Sequence, residues 1–503
     1  MEFFVENLGN LYICIRNDKL LIMYFNRLVE KEIELKLKTS GAIVVAGPKF
    51  CGKTTTCMRY QKSFVKLNTK QTIAMARMNP KAMLNGDKPR MIDEWQKAPD
   101  IWNQVKDDLD FSYEFGKYIL TGSSTPADKT EVHHSGAGRI APVKMRPMSL
   151  WESKESNGKI SLGNLFDGGS DFAWELNSDF TLQDVAHLLC RGGWPISVIA
   201  PKDIAIEITK NYWNGLFVFE DCENERFRNK KPEVLKMIVR SFARHISTEA
   251  AITTIISDVR QSNERTMDPK TFDEYMEALQ DIYILEDMPA WNPNIRSKTS
   301  IRSTPTRHFV DTSIACRALG VSPDDLLRDL DSFGLFFEDM AVRDLRVYAE
   351  TLNGEVRHYR DNAGLECDAV IHLEDGRWGA VEIKLGGDDL IEAGAKSLKL
   401  LKSKIEEKSD EKSPSFLLVL TAVGSSYQRE DGVYVAPINM LRPCLSKMFE
   451  SFLKTLSEEF EVVALVSYEG DLFIFILYDL KCCFSACSNV GKPFIFCFHL
   501  FIA

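Results

Sequence analysis

The stretch Gly47-Pro48-Lys49-Phe50-Cys51-Gly52-Lys53-Thr54 fits G-x-x-x-x-G-K-[ST] and constrains this chain more than any other feature. It follows Ala-Ile-Val-Val-Ala at residues 42–46, an apolar run of strand length, and precedes residues 55–64, where a helix is expected. Strand, glycine-bearing loop and helix start make a phosphate-binding loop. The glycines let backbone N–H groups face phosphate oxygens, and the helix start adds partial positive charge. Lys53 is expected to reach the β- and γ-phosphates of ATP, and the Thr54 hydroxyl to ligate Mg²⁺. The remaining loop residues, with Thr55 behind them, complete the cradle.

Further along, Pro-Arg-Met-Ile-Asp-Glu-Trp-Gln at residues 89–96 reads as a strand ending in two acids. Asp93 is expected to hold the Mg²⁺ through water, and Glu94 to orient or deprotonate the attacking water. Lys-Tyr-Ile-Leu-Thr-Gly-Ser-Ser at residues 117–124 is a second apolar strand ending in hydroxyls, so Ser123 or Ser124 can touch the γ-phosphate or the water. Arg139 ends a glycine-rich turn. It either stabilises transition-state charge, in its own subunit or a neighbour's, or pairs with a surface carboxylate. Strands at 42–46, near 73–76, at 89–92 and at 117–121, alternating with helical stretches, predict βαβ units and a parallel sheet covered on both faces. The ligand then sits at the carboxyl ends of the strands.

A chain of 503 residues is long enough for two or three cores. Its net charge of -10 excludes bulk electrostatic coating of nucleic acid but not a local basic groove. The 12 cysteines are scattered without matched metal-ligand spacing, which suits reduced thiols in a cytoplasmic protein. Charged residues interrupt the first twenty positions, so no signal peptide is read there. No membrane span is expected.

GPKFCGKTTT, MIDEWQKAPDIW, YILTGSS and HSGAGRIAPVKMRPMSLWE, in this order, resemble the prokaryotic AAA-type ATPases that end in a DUF4143 domain. The resemblance continues through CRGGWP at residues 190–195, residues 275–289, RHFVDTSIACRALG at 307–320, YRDNAGLECDAVI and AVEIKLG, and so covers roughly residues 24–440. It implies an ATP-binding N-terminal domain, a helical and winged-helix-like middle, and a nuclease-like C-terminal fold. The expected division is an extension at 1–23, an ATPase domain at 24–155, the middle at 156–320, the DUF4143-like domain at 321–442 and an atypical apolar tail at 443–503.

In the middle, residues 203–219 and 236–245 read as helices, and 255–259 with 268–285 as a helix-turn-helix. The basic stretch at 292–307, with Arg296, Lys298, Arg302 and Arg307, either touches nucleic-acid phosphates or is a solvated hairpin. In the C-terminal region, residues 366–371 and 380–384 read as adjacent strands. Alternation puts Glu382 and Lys384 on one face with Asp368 beside them. This resembles the D…ExK core of the restriction-endonuclease-like PD-(D/E)xK fold, with Glu338 as the helical acid upstream. Asp368, Glu382 and the Ile383 carbonyl would bind a second Mg²⁺, and Lys384 would position the water; alternatively the fold serves only as a binding platform. The tail holds Cys482, Cys483, Cys487 and Cys497 among short apolar runs, too interrupted by charge to span a membrane. ATP and Mg²⁺ are the expected cofactors, DNA and a protein the candidate partners, and an oligomer is compatible with Arg139 acting on a neighbour.

Overall fold

The structure is a computed structural model. It describes residues 4–8, 11–16, 19–20, 24–124, 135–169, 172, 174–175, 179–217, 230–263, 269–293, 304–407, 413–444, 463–468 and 471–476. The chain divides into two compact units, residues 1–26 with 445–503, and Arg27–Cys444. In the first, Phe4–Leu8, Leu11–Arg16 and Lys19–Leu20 form an antiparallel sheet, and Val463–Tyr468 pairs with Asp471–Ile476. The four tail cysteines lie outside the described residues, as do Arg296, Lys298 and Arg302.

The second unit opens with helix α1 (Glu30–Thr39), then β1 (Ala42–Ala46), α2 (Lys53–Cys57), β2 (Ser63–Lys66), β3 (Arg90–Asp93), α3 (Asp100–Phe111), β4 (Tyr118–Gly122) and β5 (Ile140–Lys144). The five strands form one parallel sheet in the order β2-β3-β4-β1-β5. Ile43, Val45, Met91 and Ile119 pack on one face, and Ala42, Ile92, Tyr118 and Leu120 on the other. Burial on both faces is why these strands read as continuous apolar runs. The chain leaves β1 toward one side of the sheet and β4 toward the other, so the order reverses at the carboxyl end of β1, where such sheets place ligands.

Two expectations for this region fail. The helix after the loop ends at Cys57 rather than running to residue 64, and the second strand is Ser63–Lys66, while residues 73–76 lie inside the helix Lys70–Met78. A capping box between Thr69 and Thr72 fixes the start of that helix. In Ser63–Lys66, alternate residues are exposed, a pattern too short to be told from a helix end.

The middle is helical: α4 (Leu182–Arg191), α5 (Lys202–Leu216), α6 (Pro232–Arg244), α7 (Ile252–Asn263), α8 (Pro269–Asp281) and α9 (Thr312–Leu319). After α8, antiparallel bridges join Leu285 to Phe309 and Met288 to Thr306. Arg307 is 4% exposed and is spent on the Ala250 carbonyl at 2.9 Å and on Asp287, so it is not a surface group for phosphate.

The C-terminal part runs α10 (Leu330–Glu350), β6 (Gly354–Arg360), β7 (Glu366–Leu373), β8 (Trp378–Lys384), α11 (Asp388–Glu406), β9 (Leu417–Thr421), β10 (Tyr427–Gln428) and β11 (Tyr434–Pro437). Its sheet has the order β6-β7-β8-β9-β11-β10, with β8-β9-β11 parallel and the other pairs antiparallel. One face packs Val356, Ala369, Ile371 and Val381 into the core shared with α10. The other packs Val370, Ala380 and Val419 against Ile391, Ala395 and Leu398 of α11. Leu441–Arg442 then returns to pair with Ile160–Ser161. Among the described residues no helix is long and apolar enough to cross a membrane.

Candidate functional site: a phosphate loop and a carboxylate cluster

Gly47 follows β1 directly. A Cβ there would stand 2.0 Å from the Met145 carbonyl oxygen, so only glycine lets the loop leave the strand beside β5. Phe50 and Gly52 both take positive φ, at 71° and 100°, which curls the backbone between them. Lys53 opens α2, is 7% exposed, and donates from Nζ to the carbonyls of Gly47 at 2.9 Å and Pro48 at 2.7 Å. The ammonium therefore lies inside the curl. Lys49 and Thr55 are exposed, and Cys51 is buried with its thiol toward the Met145 carbonyl at 3.5 Å. Arg27 was not foreseen. It is buried, donates to the Cys51 carbonyl at 2.6 Å and to the Arg146 carbonyl at 2.6 Å, and pairs with Glu152 at 3.0 Å.

Thr54, first turn of α2, donates from its hydroxyl to Asp93 Oδ1 at 3.0 Å, and Thr121 donates to the same oxygen. Asp93 ends β3 and is 2% exposed; its Oδ2 is buried without a hydrogen-bond partner among the described residues, with the Lys66 ammonium 3.6 Å away. Glu94 turns out of the strand at φ 61°, a left-handed conformation costly for a non-glycine residue. Its amide donates to the Thr121 carbonyl at 2.8 Å, and its Oε2 accepts from Ser123 Oγ at 3.2 Å and Gln96 Nε2 at 2.5 Å. A Cβ on Gly122 would stand 2.7 Å from Gln96 Oε1, so the glycine makes room for that amide. Thr121 and Gln96 were missed. Both sit in stretches that sequence reading singled out, but nothing in the spacing says which side chain turns toward the acids.

Arg139 is not part of this constellation. It precedes Ile140, which pairs with Ala42 at the start of β1, whereas the loop follows Ala46 at its end. Its guanidinium pairs with exposed Asp110 and donates to the Ala137 carbonyl at 3.3 Å. With five strand residues at about 3.3 Å each between them, Arg139 lies roughly 16 Å along the sheet from its own loop. Of the alternatives read for Arg139, the pair with a surface carboxylate is the one observed, and a place at its own loop is corrected.

The middle region supports the loop. A Cβ on Gly52 would be 3.6 Å from Pro195, and the Phe50 ring lies 6.1 Å from Tyr212, which stacks at 4.4 Å on Trp194. Trp194 Nε1 donates to Ser313 at 3.0 Å, and Asp311 Oδ2 accepts from Gly193 N and from Arg343 Nη1 of α10, each at 2.8 Å.

Helix α10 also carries Glu338, half-buried and facing the second cluster. Burial and the neighbouring Asp368 push the Glu338 carboxyl well above the usual range. Lys384 Nζ lies 3.0 Å from Asp368 Oδ2 and 2.7 Å from Glu382 Oε2, and the Ile383 amide donates to Asp368 Oδ2 at 2.7 Å. The paired register of β7 with β8 ends at Ala369 and Val381, so the Ile383 amide takes a side chain in place of a ladder partner. Ser397 of α11, not foreseen, donates to Glu382 Oε1 at 3.2 Å. Burial and Asp368 raise Glu382 to about 7; burial alone would lower Lys384, but Asp368 and Glu382 hold it above its usual value. The ammonium stands between the two carboxylates. Among the described residues no three acids, histidines or cysteines are grouped as ready ligands for a metal ion.

An AAA domain matches residues 39–154, and a domain of unknown function, DUF4143, matches residues 333–441. The chain belongs to the AAA-type P-loop ATPases that carry a DUF4143 domain. A second domain of unknown function, DUF8612, matches residues 182–325 of this AAA–DUF4143 protein, the helical middle. Among solved structures, the Walker-type ATPase PABY2304 of Pyrococcus abyssi is similar at 12% identity and TM-score 0.36, covering 60% of this chain and 97% of that one. The Drosophila ORC structure bound to DNA is similar at 12% identity and TM-score 0.15, over 58% of this chain and 85% of that one. The Hef helicase domain of Pyrococcus furiosus is similar at 9% identity and TM-score 0.17, over 86% of this chain and 98% of that one. With TM-scores this low, none of the three likenesses carries weight for fold or function. No curated protein matches the sequence.

Proposed function

We propose that this AAA–DUF4143 protein is a Mg²⁺-dependent ATP hydrolase that works as a switch or motor for its C-terminal module. The observation that carries this reading is the Thr54–Asp93 contact at 3.0 Å, with Asp93 Oδ2 buried beside it and without a hydrogen-bond partner among the described residues. A hydroxyl and an unsatisfied carboxylate oxygen at the end of a phosphate loop suit a hydrated Mg²⁺, which would supply charge neutralisation at the phosphates. Thr54 and Asp93 would hold the ion. Lys53 would leave the loop carbonyls for phosphate oxygens. Glu94, aimed by Ser123 and Gln96, would take the proton of the attacking water. The test is steady-state ATP turnover, with and without duplex and single-stranded DNA. Lys53→Ala and Glu94→Gln are each expected to lower turnover at least ~100-fold, the scale of a lost base or phosphate clamp. Unchanged turnover in either variant overturns the reading. Nucleotide binding without turnover in the parent would make the chain a nucleotide-gated clamp.

A second reading is favoured by one observation: Glu338, Asp368, Glu382 and Lys384 converge at the open end of β7 and β8. The reading is a Mg²⁺-dependent nuclease acting on DNA. It fits the residues once Lys384 leaves the space between the carboxylates. Lys384→Ala is then expected to lose DNA cleavage while ATP turnover persists; equal cleavage by variant and parent would mark a contaminant. Stimulation of turnover by a protein in place of DNA would make the module a binding platform.

A further inference from the structure

The CRGGWP and RHFVDTSIACRALG stretches meet in the folded chain, and each brings a cysteine. Cys190 lies in the last turn of α4 and Cys316 in the middle of α9, both fully buried. Their contacts cross. The Cys316 thiol reaches the carbonyl of Leu189, the residue before Cys190, at 3.6 Å. The Cys190 thiol faces the carbonyl of Val321, just past the end of α9, at 3.8 Å. Each thiol thus points at the segment that carries the other.

A cation completes the arrangement. Arg317 Nη2 donates to the same Val321 carbonyl at 2.6 Å, and its Nε is buried with no hydrogen-bond partner among the described residues. A buried guanidinium N–H left unpaired is costly. An anion on the Cys190 sulfur would lower that cost. The neighbouring Cys316 thiol, and then Arg317, draw the Cys190 thiol below its ordinary value, while burial pushes Cys316 up. Because Arg317 and the Cys190 thiol meet at the same Val321 carbonyl, Cys190 takes the part of the nucleophile and Cys316 that of the resolving partner.

We propose that Cys190 and Cys316 form a redox-active pair, oxidised to a disulfide by a peroxide and restored by a dithiol reductant. The Cys190 thiolate attacks one peroxide oxygen, the O–O bond breaks, and the released hydroxide takes a proton to leave as water. Cys190 is then a sulfenic acid. The Cys316 sulfur attacks it, the S–O bond breaks, and the Cys316 proton leaves with the hydroxyl as a second water. Two thiols lose two electrons, and the peroxide gains them. The bond would tie the end of α4 to α9 on either side of the turn that holds Trp194 and Asp311, behind the phosphate loop.

The test uses the full chain with hydrogen peroxide, then alkylation under denaturing conditions and a non-reducing tryptic map. Cys190 is the one cysteine of the peptide 160–191, and Cys316 the one cysteine of 308–317, so their linkage is unambiguous. The expected result is a single linked species joining these two peptides, lost on adding dithiothreitol. Cys190→Ala should leave Cys316 alkylated, and Arg317→Met should slow linkage several-fold without changing its final yield. Oxidised protein should also unfold at a higher temperature than reduced protein. The proposal is overturned if both cysteines stay alkylated while half-exposed Cys444 oxidises. It is also overturned if Cys190 advances to the sulfinic acid with Cys316 still free, or if either cysteine links mainly elsewhere. Should Cys190→Ala fail to fold, Cys316→Ser supplies the complementary result: linkage lost and Cys190 over-oxidised.

Discussion

At the scale of single residues, the decisive features are side chains whose chemistry is set by what surrounds them. His358 on β6 is 2% exposed, and its Nδ1 lies 3.3 Å from Glu249. Burial, with His308 nearby, lowers it to about 4. Between about 4 and the ordinary histidine value near 6.5, the unfolded chain binds this proton and the folded chain does not. Stability is therefore expected to fall as pH falls through that window, by up to about 3 kcal/mol for this group at its foot. Chemical denaturation of parent and His358→Gln across pH 4 to 7 checks this; parallel pH profiles would remove His358 as the cause. Arg139 makes the opposite case, an exposed ion pair remote from its own loop. Arg139→Ala is expected to leave the unfolding midpoint and the turnover of dilute protein unchanged. If the parent's turnover per chain rises with protein concentration and the variant's does not, Arg139 serves a neighbouring chain.

At the scale of elements, α10 links the two clusters. It presents Glu338 to the carboxylates. On the next residue, Asp339 is held by Phe309 N and His308 Nδ1 at 2.9 Å each and by Thr312 at 2.7 Å. One turn on, Arg343 reaches Asp311, and Asp344 Oδ2 accepts from Leu150 N at 2.8 Å. Asp311 caps α9 while accepting from the Gly193 amide, so a single carboxylate ties three segments. Asp311→Ala would leave the Arg343 guanidinium, 3% exposed, short of a partner. Removing one member of a buried pair costs about 3–5 kcal/mol. The denaturant midpoint is expected to shift accordingly, and a loss under ~1 kcal/mol would mean Asp344 alone satisfies Arg343. None of this was legible in the sequence. Asp311 and Arg343 are 32 positions apart, and a buried ion pair leaves no periodic trace.

At the scale of the whole molecule, the chain closes on itself through its second unit. Leu441–Arg442 pairs with Ile160–Ser161, the Asn439 carbonyl accepts from Asn157 N at 2.8 Å, and a Cβ on Gly163 would stand 2.5 Å from Cys444 Sγ. The segment after the last sheet strand is therefore packed on the residues that follow the AAA domain. A chain ending after Cys444 is expected to bind ATP as the full chain does. One ending after Pro437 is expected to unfold at a lower temperature and to bind ATP less well. Equal melting of the two shortened chains would show that the return strand adds nothing.

The sequence by itself determined the local frame of the loop. Its glycines, lysine and threonine sit at fixed spacing because backbone curl and helix start are local, set within a few residues. It also determined the apolar runs of the parallel sheet, because burial on both faces leaves a mark on every residue of a strand. It did not determine the second strand, since four residues of alternating exposure fit either element, nor the fate of Arg139 and Arg307. Those were decided by tertiary structure: which end of the sheet Arg139 occupies, and which carboxylate lies beside Arg307. The partners of Glu94, the support of Phe50 by Tyr212, and the meeting of Cys190 with Cys316 belong to the same class. They depend on contacts between segments distant in the chain, whose register is set by how whole helices pack.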